Sequence, residues 1–185
     1  MDVEKALPRH ARGLTLVELI TILAVAGISL AVLMPSWSGL SKRSQITTVS
    51  NQLLGHLRYA RSEAVSRYQS IVLCPSDDGV GCSGDPRGWQ RGYLIFVDDN
   101  DDRSRSDDET ILRVAGAQPR NMRLHSTAGR PAIRFKADGA AWGTNVTLSV
   151  CLGDDSGANR AVVLVGSGRA RVDKRAPGNR PVSCD

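Results

Sequence analysis

The sequence is poor in the residue groupings that build metal and catalytic sites. Its four cysteines form no C-x-x-C pair, and its three histidines are scattered along the chain. These residues are Cys74, Cys82, Cys151, Cys184, His10, His56 and His125. Zinc ligands come in closely spaced pairs, so this spacing argues against a zinc site. The histidines give no sign of a catalytic triad either, and those at 56 and 125 are expected to be structural. We therefore predict a protein that is not an enzyme and uses no cofactor.

Lysine is scarce as well. Of the 24 basic residues only four are lysines, and the rest are arginines, in a chain with a net charge of +5. A guanidinium group makes bidentate contacts with phosphate, so an arginine-rich surface suits phosphate recognition. A GC-rich genome gives the same bias, and composition alone does not choose between the two explanations.

One long apolar run lies near the N-terminus. Residues 14 to 33 contain a single strongly polar side chain, that of Glu18. A helix of this length spans roughly 30 Å, the thickness of the hydrocarbon core of a bilayer. A carboxylate is costly there, which points to a function for Glu18. A short basic leader precedes the run and ends at Gly13. An ordinary signal peptide is cut after its apolar stretch, whereas a cut after Gly13 would keep the apolar helix.

A second helical pattern follows Pro35. Between residues 41 and 68 the apolar residues recur at steps of three and four, which predicts an amphipathic helix. They are Ile46, Val49, Leu53, Leu54, Leu57, Ala60, Ala64 and Val65. Pro35 and Gly39 predict a bend between the two halves. We expect one long, interrupted helix from 14 to about 68, with a transmembrane half over 14–34 and an amphipathic half over 35–68.

From residue 69 onward the periodicity changes to two. The predicted strands are 70–74, 91–97, 110–115, 122–126, 132–136, 146–151, 161–165 and 169–173, separated by Gly, Asp, Asn, Pro and Ser. There is no long repeat and no further helical pattern. The fold class predicted is α+β, with the long N-terminal helix packed on an antiparallel β-sheet or small β-sandwich built from residues 69–185.

The four cysteines are expected to be oxidised. A domain that follows a membrane-crossing helix faces an oxidising compartment, where thiols pair. Three connectivities are possible. We favour the pairing of Cys74 with Cys82, which closes a small loop, and of Cys151 with Cys184, which ties the C-terminal tail to a strand.

Residues 98 to 109 form an acidic segment, with seven carboxylates and two arginines. Calcium sites do use Asp and Asn oxygens at alternating positions. The run from Asp98 to Asp102 lacks the central glycine and terminal glutamate of an EF-hand loop, and Asp and Asn favour turns through local hydrogen bonds. We expect a solvated turn that repels nucleic acid, with a bound cation as the alternative. A metal-dependent hydrolase using Asp98, Asp101 or Asp108 is the most distant alternative.

The C-terminal segment has the opposite charge. Residues 160 to 185 contain six basic and two acidic side chains. Within it, Arg169 and Arg171 project to the same side of an extended chain, about 7 Å apart, which is close to the spacing of neighbouring phosphates. Lys174 and Arg175 follow and extend this cationic row. The pattern favours contact with a phosphate backbone, and the alternative is a solvated basic face.

The N-terminal pattern resembles that of the type IV pilin and pseudopilin class. It consists of Gly13, an apolar residue, Thr15-Leu16-Val17-Glu18 and, further on, Pro35. The resemblance implies that residues 1–13 are a leader, that prepilin peptidase cuts after Gly13 and methylates Leu14, and that Glu18 neutralises an N-terminal amine during assembly. Leu14 departs from the phenylalanine that is commonest at this position. The alternative is a plain single-span anchor that keeps its leader.

Two further segments resemble the FimT/GspH branch of that class. One runs from Gly88 to Asp102 and continues from Asp108 to Arg113, as an aromatic-rich strand, an Asp/Asn turn and an Ile-Leu-Arg strand. The other, Gly168-Arg169-Ala170-Arg171, is similar to the Gly-Arg-x-Arg element of FimT minor pilins implicated in DNA binding during natural transformation. The similarity covers Gly168, Arg169 and Arg171. The candidate DNA contacts at Lys174, Arg175 and Arg180 are inferred from charge.

The resemblance implies a minor type IV pilin. Such a protein is a single-pass protein of the inner membrane with its C-terminal domain in the periplasm, and it is incorporated into a pilus. Its expected partners are prepilin peptidase, other major and minor pilins, and DNA bound without sequence preference. The alternative is a GspH-like pseudopilin of a type II secretion system that does not bind DNA.

Overall fold

The computed structural model describes residues 13, 15–33, 35–153 and 157–184. The chain divides into two compact units, Met1–Ser41 and Lys42–Asp185. The first unit contains helix α1, Leu16–Leu33. Its first turn is capped by Thr15, whose hydroxyl accepts a hydrogen bond from the backbone N–H of Glu18 at 3.3 Å. None of the helices in the described part of the chain has the length and hydropathy that a membrane crossing requires.

Helix α2, Pro35–Arg67, provides one wall of the second unit's core. The predicted stripe is confirmed at most of its positions, since six of its apolar residues are buried. They are Ile46, Val49, Leu53, Leu57, Ala60 and Ala64. Val65 is an exception, because it is 46% exposed at the C-terminal end of the helix. The helix ends at Arg67, because Tyr68 adopts a left-handed conformation with φ of 56°.

Two four-stranded antiparallel sheets complete the second unit. The first has the order β3-β2-β1-β5 and the second the order β4-β6-β7-β8. The strands are β1 (Ile71–Pro75), β2 (Tyr93–Val97), β3 (Ile111–Ala115), β4 (Met122–Ser126), β5 (Ile133–Phe135), β6 (Val146–Leu152), β7 (Arg160–Leu164) and β8 (Ala170–Asp173). The α+β prediction is thereby confirmed. The predicted strand 91–97 starts two residues late, because Trp89–Arg91 forms a short 3-10 helix.

The core lies where α2 meets the inner faces of both sheets. Its largest side chains include Trp89, Tyr93 and Phe135, all at most 2% exposed. A second apolar cluster covers the outer face of the second sheet, where Val182 and Cys184 of the tail pack on β6 and β7. Apolar residues alternate along the strands, and those such as Leu148 and Val150 face the core. This alternation determines which face of each sheet is buried.

Two disulfides link a loop and the C-terminal tail to strands of these sheets. Cys74 is bonded to Cys82 and Cys151 to Cys184, the two pairs that the sequence favoured. The second disulfide spans 33 residues and holds the basic tail against β6. The position of that tail is therefore set by a covalent bond as well as by the burial of Val182.

Candidate nucleic-acid interface

The hairpin that joins β7 to β8 carries the two arginines singled out by the sequence. Its turn is closed by two backbone hydrogen bonds, from Val165 N–H to the Arg169 carbonyl (3.1 Å) and from Gly168 N–H to the Val165 carbonyl (2.8 Å). Gly168 has φ of +76°, and a Cβ added there would stand 2.0 Å from the carbonyl oxygen of Gly139. Only glycine fits this position. Gly168 is buried, so it places the turn and leaves contact with a ligand to its neighbours.

Strand β8 separates its apolar and basic side chains by alternation. Ala170 and Val172 pack against the core, while Arg171 within the strand and Arg169 directly before it are exposed. The two arginines differ in their surroundings. The Nε of Arg171 donates to a carboxylate oxygen of Asp173 at 2.7 Å, whereas Arg169 makes no ion pair among the described residues.

A groove of about 620 Å³ lies between the hairpin and α2. It is lined by Arg58, Arg61, Ser62, Val65, Ser66, Gly168, Arg169 and Ala170, a set with three arginines and no carboxylate. Within the part of the chain that the structure describes, none of these arginines forms a salt bridge. Several cations without a salt-bridge partner raise the positive potential of a groove and attract anionic ligands. The arrangement suits a phosphate backbone.

Arg58 and Arg61 were not predicted as part of the site. They lie three residues apart on the helix, a spacing that puts two side chains on one face. This spacing was visible in the sequence, but it did not show that the face meets the β7–β8 turn. That meeting depends on Gly139 and Gly168, whose backbones touch the same part of α2: a Cβ added at either glycine would stand 3.2 Å from the Nε of Arg61.

The remaining predicted contacts do not join this groove. Lys174 and Arg175 are exposed after β8, and Arg175 donates to the carbonyl of Asn179 at 3.0 Å. Arg180 lines a separate cleft of about 510 Å³, which also includes Arg87 and His125. Of the six predicted residues, Gly168 and Arg169 therefore line the groove beside α2, and Arg180 lines the separate cleft.

The two histidines in the described part of the chain, His56 and His125, occupy structural positions. The Nδ1 of His56 lies 2.7 Å from the hydroxyl of Tyr93, and burial, followed by the charge of Arg113, lowers the pKa of His56. Burial, followed by the neighbouring arginines at 87 and 123, lowers the pKa of His125. Both side chains therefore favour the neutral form, and neither adds to the positive charge at neutral pH.

The acidic segment folds into a turn held by its own carboxylates. Glu109 accepts hydrogen bonds from the backbone N–H groups of Asp99 (2.9 Å) and Ser106 (2.8 Å). Asp98 accepts one from Arg103 N–H at 3.3 Å, and burial raises the pKa of Asp98. Residues 99–102 are exposed, as expected of a solvated turn, whereas Asp98 and Glu109 are only 2% and 4% exposed. Among the described residues, no three acidic, histidine or cysteine side chains are grouped to hold a metal ion.

The N-terminal candidate residues are described only in part. Gly13 is exposed, and Glu18 is exposed in the first turn of α1. Leu14 and the preceding residues 1–12 lie outside the described residues.

Comparison with known proteins gives the same architecture. The family model for the type II transport protein GspH matches residues 49–168. The pilin-like protein PilA1 of Thermus thermophilus is 30% identical over 167 residues, covering 88% of this chain and 98% of PilA1. The solved structure of the type IV minor pilin FimU of Pseudomonas aeruginosa has a TM-score of 0.59 at 23% identity, covering 76% of this chain and 98% of FimU. The minor pseudopilin EpsH of the Vibrio cholerae type 2 secretion system has a TM-score of 0.50 at 16% identity, covering 72% and 98%.

Proposed function

Because this chain belongs to the GspH family of minor pilins and pseudopilins, we propose that it is a minor type IV pilin that binds DNA during natural transformation. The binding surface is the groove lined by Arg58, Arg61 and Arg169. Outside the groove, the exposed side chains of Arg171 and Lys174 add further positive charge. The matched family segment ends at Gly168, directly before these C-terminal cations. Arg169, Arg171 and Lys174 are therefore features of this chain beyond the segment that the family model matches.

The observation that supports DNA binding is the absence of carboxylates from a groove with three arginines. A protein that neutralises phosphates releases condensed counterions, and this term supplies nearly all of non-specific affinity. Contacts of this kind position a nucleic acid without reading its sequence. The acidic turn at 98–109 lies in the other sheet's β2–β3 connection, away from the hairpin in the chain, and carries the opposite charge.

Assembly into a pilus is part of the same proposal. The apolar run from 14 to 33 anchors the processed chain in the inner membrane, with the domain from 42 to 185 in the periplasm. Prepilin peptidase removes residues 1–13 and methylates Leu14, and Glu18 then neutralises an N-terminal amine among neighbouring pilins. The two disulfides fit an oxidising compartment of this kind.

A test compares two double variants of the full-length protein in detergent. Arg169→Ala with Arg171→Ala should weaken binding to duplexes of unrelated sequence at least roughly tenfold, because two charge-assisted contacts are lost. Arg43→Ala with Arg120→Ala removes the same charge from exposed positions outside the groove and serves as the control. In cells, the first variant should lose DNA uptake and keep its pili. Equal affinity of both variants and the unmodified chain would contradict the proposal.

A second candidate function is that of a pseudopilin in a type II secretion system. The description of the matching family model and the structural likeness to EpsH favour it. Under this alternative the protein contacts other pseudopilins and has no affinity for DNA. The loss of protein secretion rather than DNA uptake in a deletion strain would support it.

A further inference from the structure

One large aromatic side chain is left in solvent beside the β7–β8 turn. Trp142, in the loop between β5 and β6, is 63% exposed, whereas Trp89 is fully buried in the core. An indole ring is among the most favourable groups to bury, so leaving it in water forgoes a stabilising contribution. A ring kept exposed in this way is available to a ligand.

The ring is exposed although its loop is firmly anchored. Its neighbour Ala141 is fully buried and donates a backbone hydrogen bond to the Gly166 carbonyl at 2.8 Å. Thr144, 1% exposed, closes the turn by donating to the Ala141 carbonyl at 2.9 Å, and the guanidinium of Arg130 donates to the Gly143 carbonyl. The exposure of Trp142 is therefore a property of an ordered loop.

The same contacts place Trp142 beside the β7–β8 turn, which also carries Arg169. A Cβ added at Gly166 would stand 3.5 Å from Cε3 of the indole, so the ring borders the backbone of the β7–β8 turn. Gly166 and Arg169 are three residues apart in that turn, which keeps their Cα atoms within about 11 Å of each other. This distance is on the scale of one or two nucleotides of a single strand. The β7–β8 turn contains no carboxylate, and the β5–β6 loop contains one, that of Asp138, which accepts a hydrogen bond from Ala140 N–H at 2.8 Å.

We propose that Trp142 stacks on a base of single-stranded DNA while Arg169 and Arg61 hold the adjacent phosphates. This inference rests on the proposed function and adds the form of DNA that is preferred. Aromatic side chains beside a basic groove are how proteins bind single strands without sequence preference, since every base has a π-face. In an intact duplex the bases are stacked inside, so Trp142 has no face to contact. The groove therefore binds both forms of DNA, and the indole favours the single strand.

The test measures binding of the full-length protein in detergent to a dT oligonucleotide and to a duplex of matched length. Trp142→Ala should weaken binding to the single strand roughly 5- to 150-fold, the range of one lost stacking contact, and change duplex affinity less than about twofold. Trp142→Phe should retain much of the single-strand affinity, because it keeps an aromatic ring. The salt dependence should be unchanged in Trp142→Ala, since the indole neutralises no phosphate.

Tyr68 provides a matched control. It is 83% exposed, and it lines a cleft with Asp98, Asp99 and Asp101, where a phosphate chain is repelled. Tyr68→Ala should therefore bind both DNA forms as the unmodified chain does. The inference is overturned if Trp142→Ala retains full affinity for the single strand. If that variant also lowers the recovery of pili, the indole ring makes a contact between subunits instead. If the unmodified chain binds neither form, the proposed function itself fails.

Discussion

Substitution of Gly168 by alanine tests how the fold holds the basic groove together. The position has two separate requirements, a left-handed backbone with φ of +76° and a close approach to the carbonyl oxygen of Gly139. The added Cβ would stand 2.0 Å from that oxygen, and a backbone atom cannot move aside as the end of a flexible side chain can. Either the turn shifts away from Gly139 or the fold accepts the strain.

The two requirements can be tested separately, because Gly129 has the left-handed backbone without the close approach. Gly129 has φ of +72°, and a Cβ added there meets nothing within 4 Å. Gly129→Ala should therefore lower the free energy of unfolding by about 1–2 kcal/mol, the cost of a left-handed conformation. Gly168→Ala should lower it by roughly 1–3 kcal/mol more, as expected for overpacking.

Urea unfolding of the two variants and the unmodified chain measures these differences. Binding of duplex DNA provides a second readout. A shifted turn moves Arg169 away from Arg58 and Arg61, so Gly168→Ala should lose DNA affinity and Gly129→Ala should keep it. If both variants have the same stability and the same affinity, the packing of Gly168 on Gly139 does not position the groove, and the reasoning is wrong.

Three further predictions concern processing, assembly and the tail. Mass spectrometry of the membrane-extracted protein should find a methylated Leu14 at the N-terminus, and Gly13→Val should block this cut; an intact Met1 in cells with active peptidase contradicts the pilin proposal. Glu18→Val should leave membrane insertion intact and reduce recovery in sheared pili, because the N-terminal amine loses its counter-charge; unchanged recovery shows that the carboxylate has another role. Cys184→Ser should lower the free energy of unfolding by about 3–4 kcal/mol, as expected for opening a covalent loop of 33 residues. A variant as stable as the unmodified chain would show that the tail is held without this disulfide.

The elements that the sequence predicted well are those whose signal is local. The apolar stripe from Ile46 to Ala64 follows the helical period, and the strands follow a period of two, so both could be read from neighbouring residues. The row formed by Arg169 and Arg171 is local in the same sense. The shift of β2 to Tyr93 was missed because the 3-10 helix before it has no periodic signature.

The missing part of the site depends on contacts between distant segments. Arg58 and Arg61 belong to the groove only because α2 packs where the turns at Gly139 and Gly168 meet, and sequence periodicity does not report such a meeting. The pairing of Arg171 with Asp173 was also missed. In an extended strand these two residues share a face, so the spacing of two was an available signal.

The salt dependence of duplex binding tests the central proposal most directly. The measurement compares full-length Arg169→Ala, Arg171→Ala and Arg120→Ala, which remove one exposed positive charge each. Affinity falls with salt, and loss of one phosphate contact makes the negative slope of log K against log salt less steep by about 0.9. Arg169→Ala should show this loss, Arg171→Ala a smaller one because its Nε already binds Asp173, and Arg120→Ala none. Equal slopes in all three variants, or an equal loss in Arg120→Ala, would contradict DNA binding at this groove.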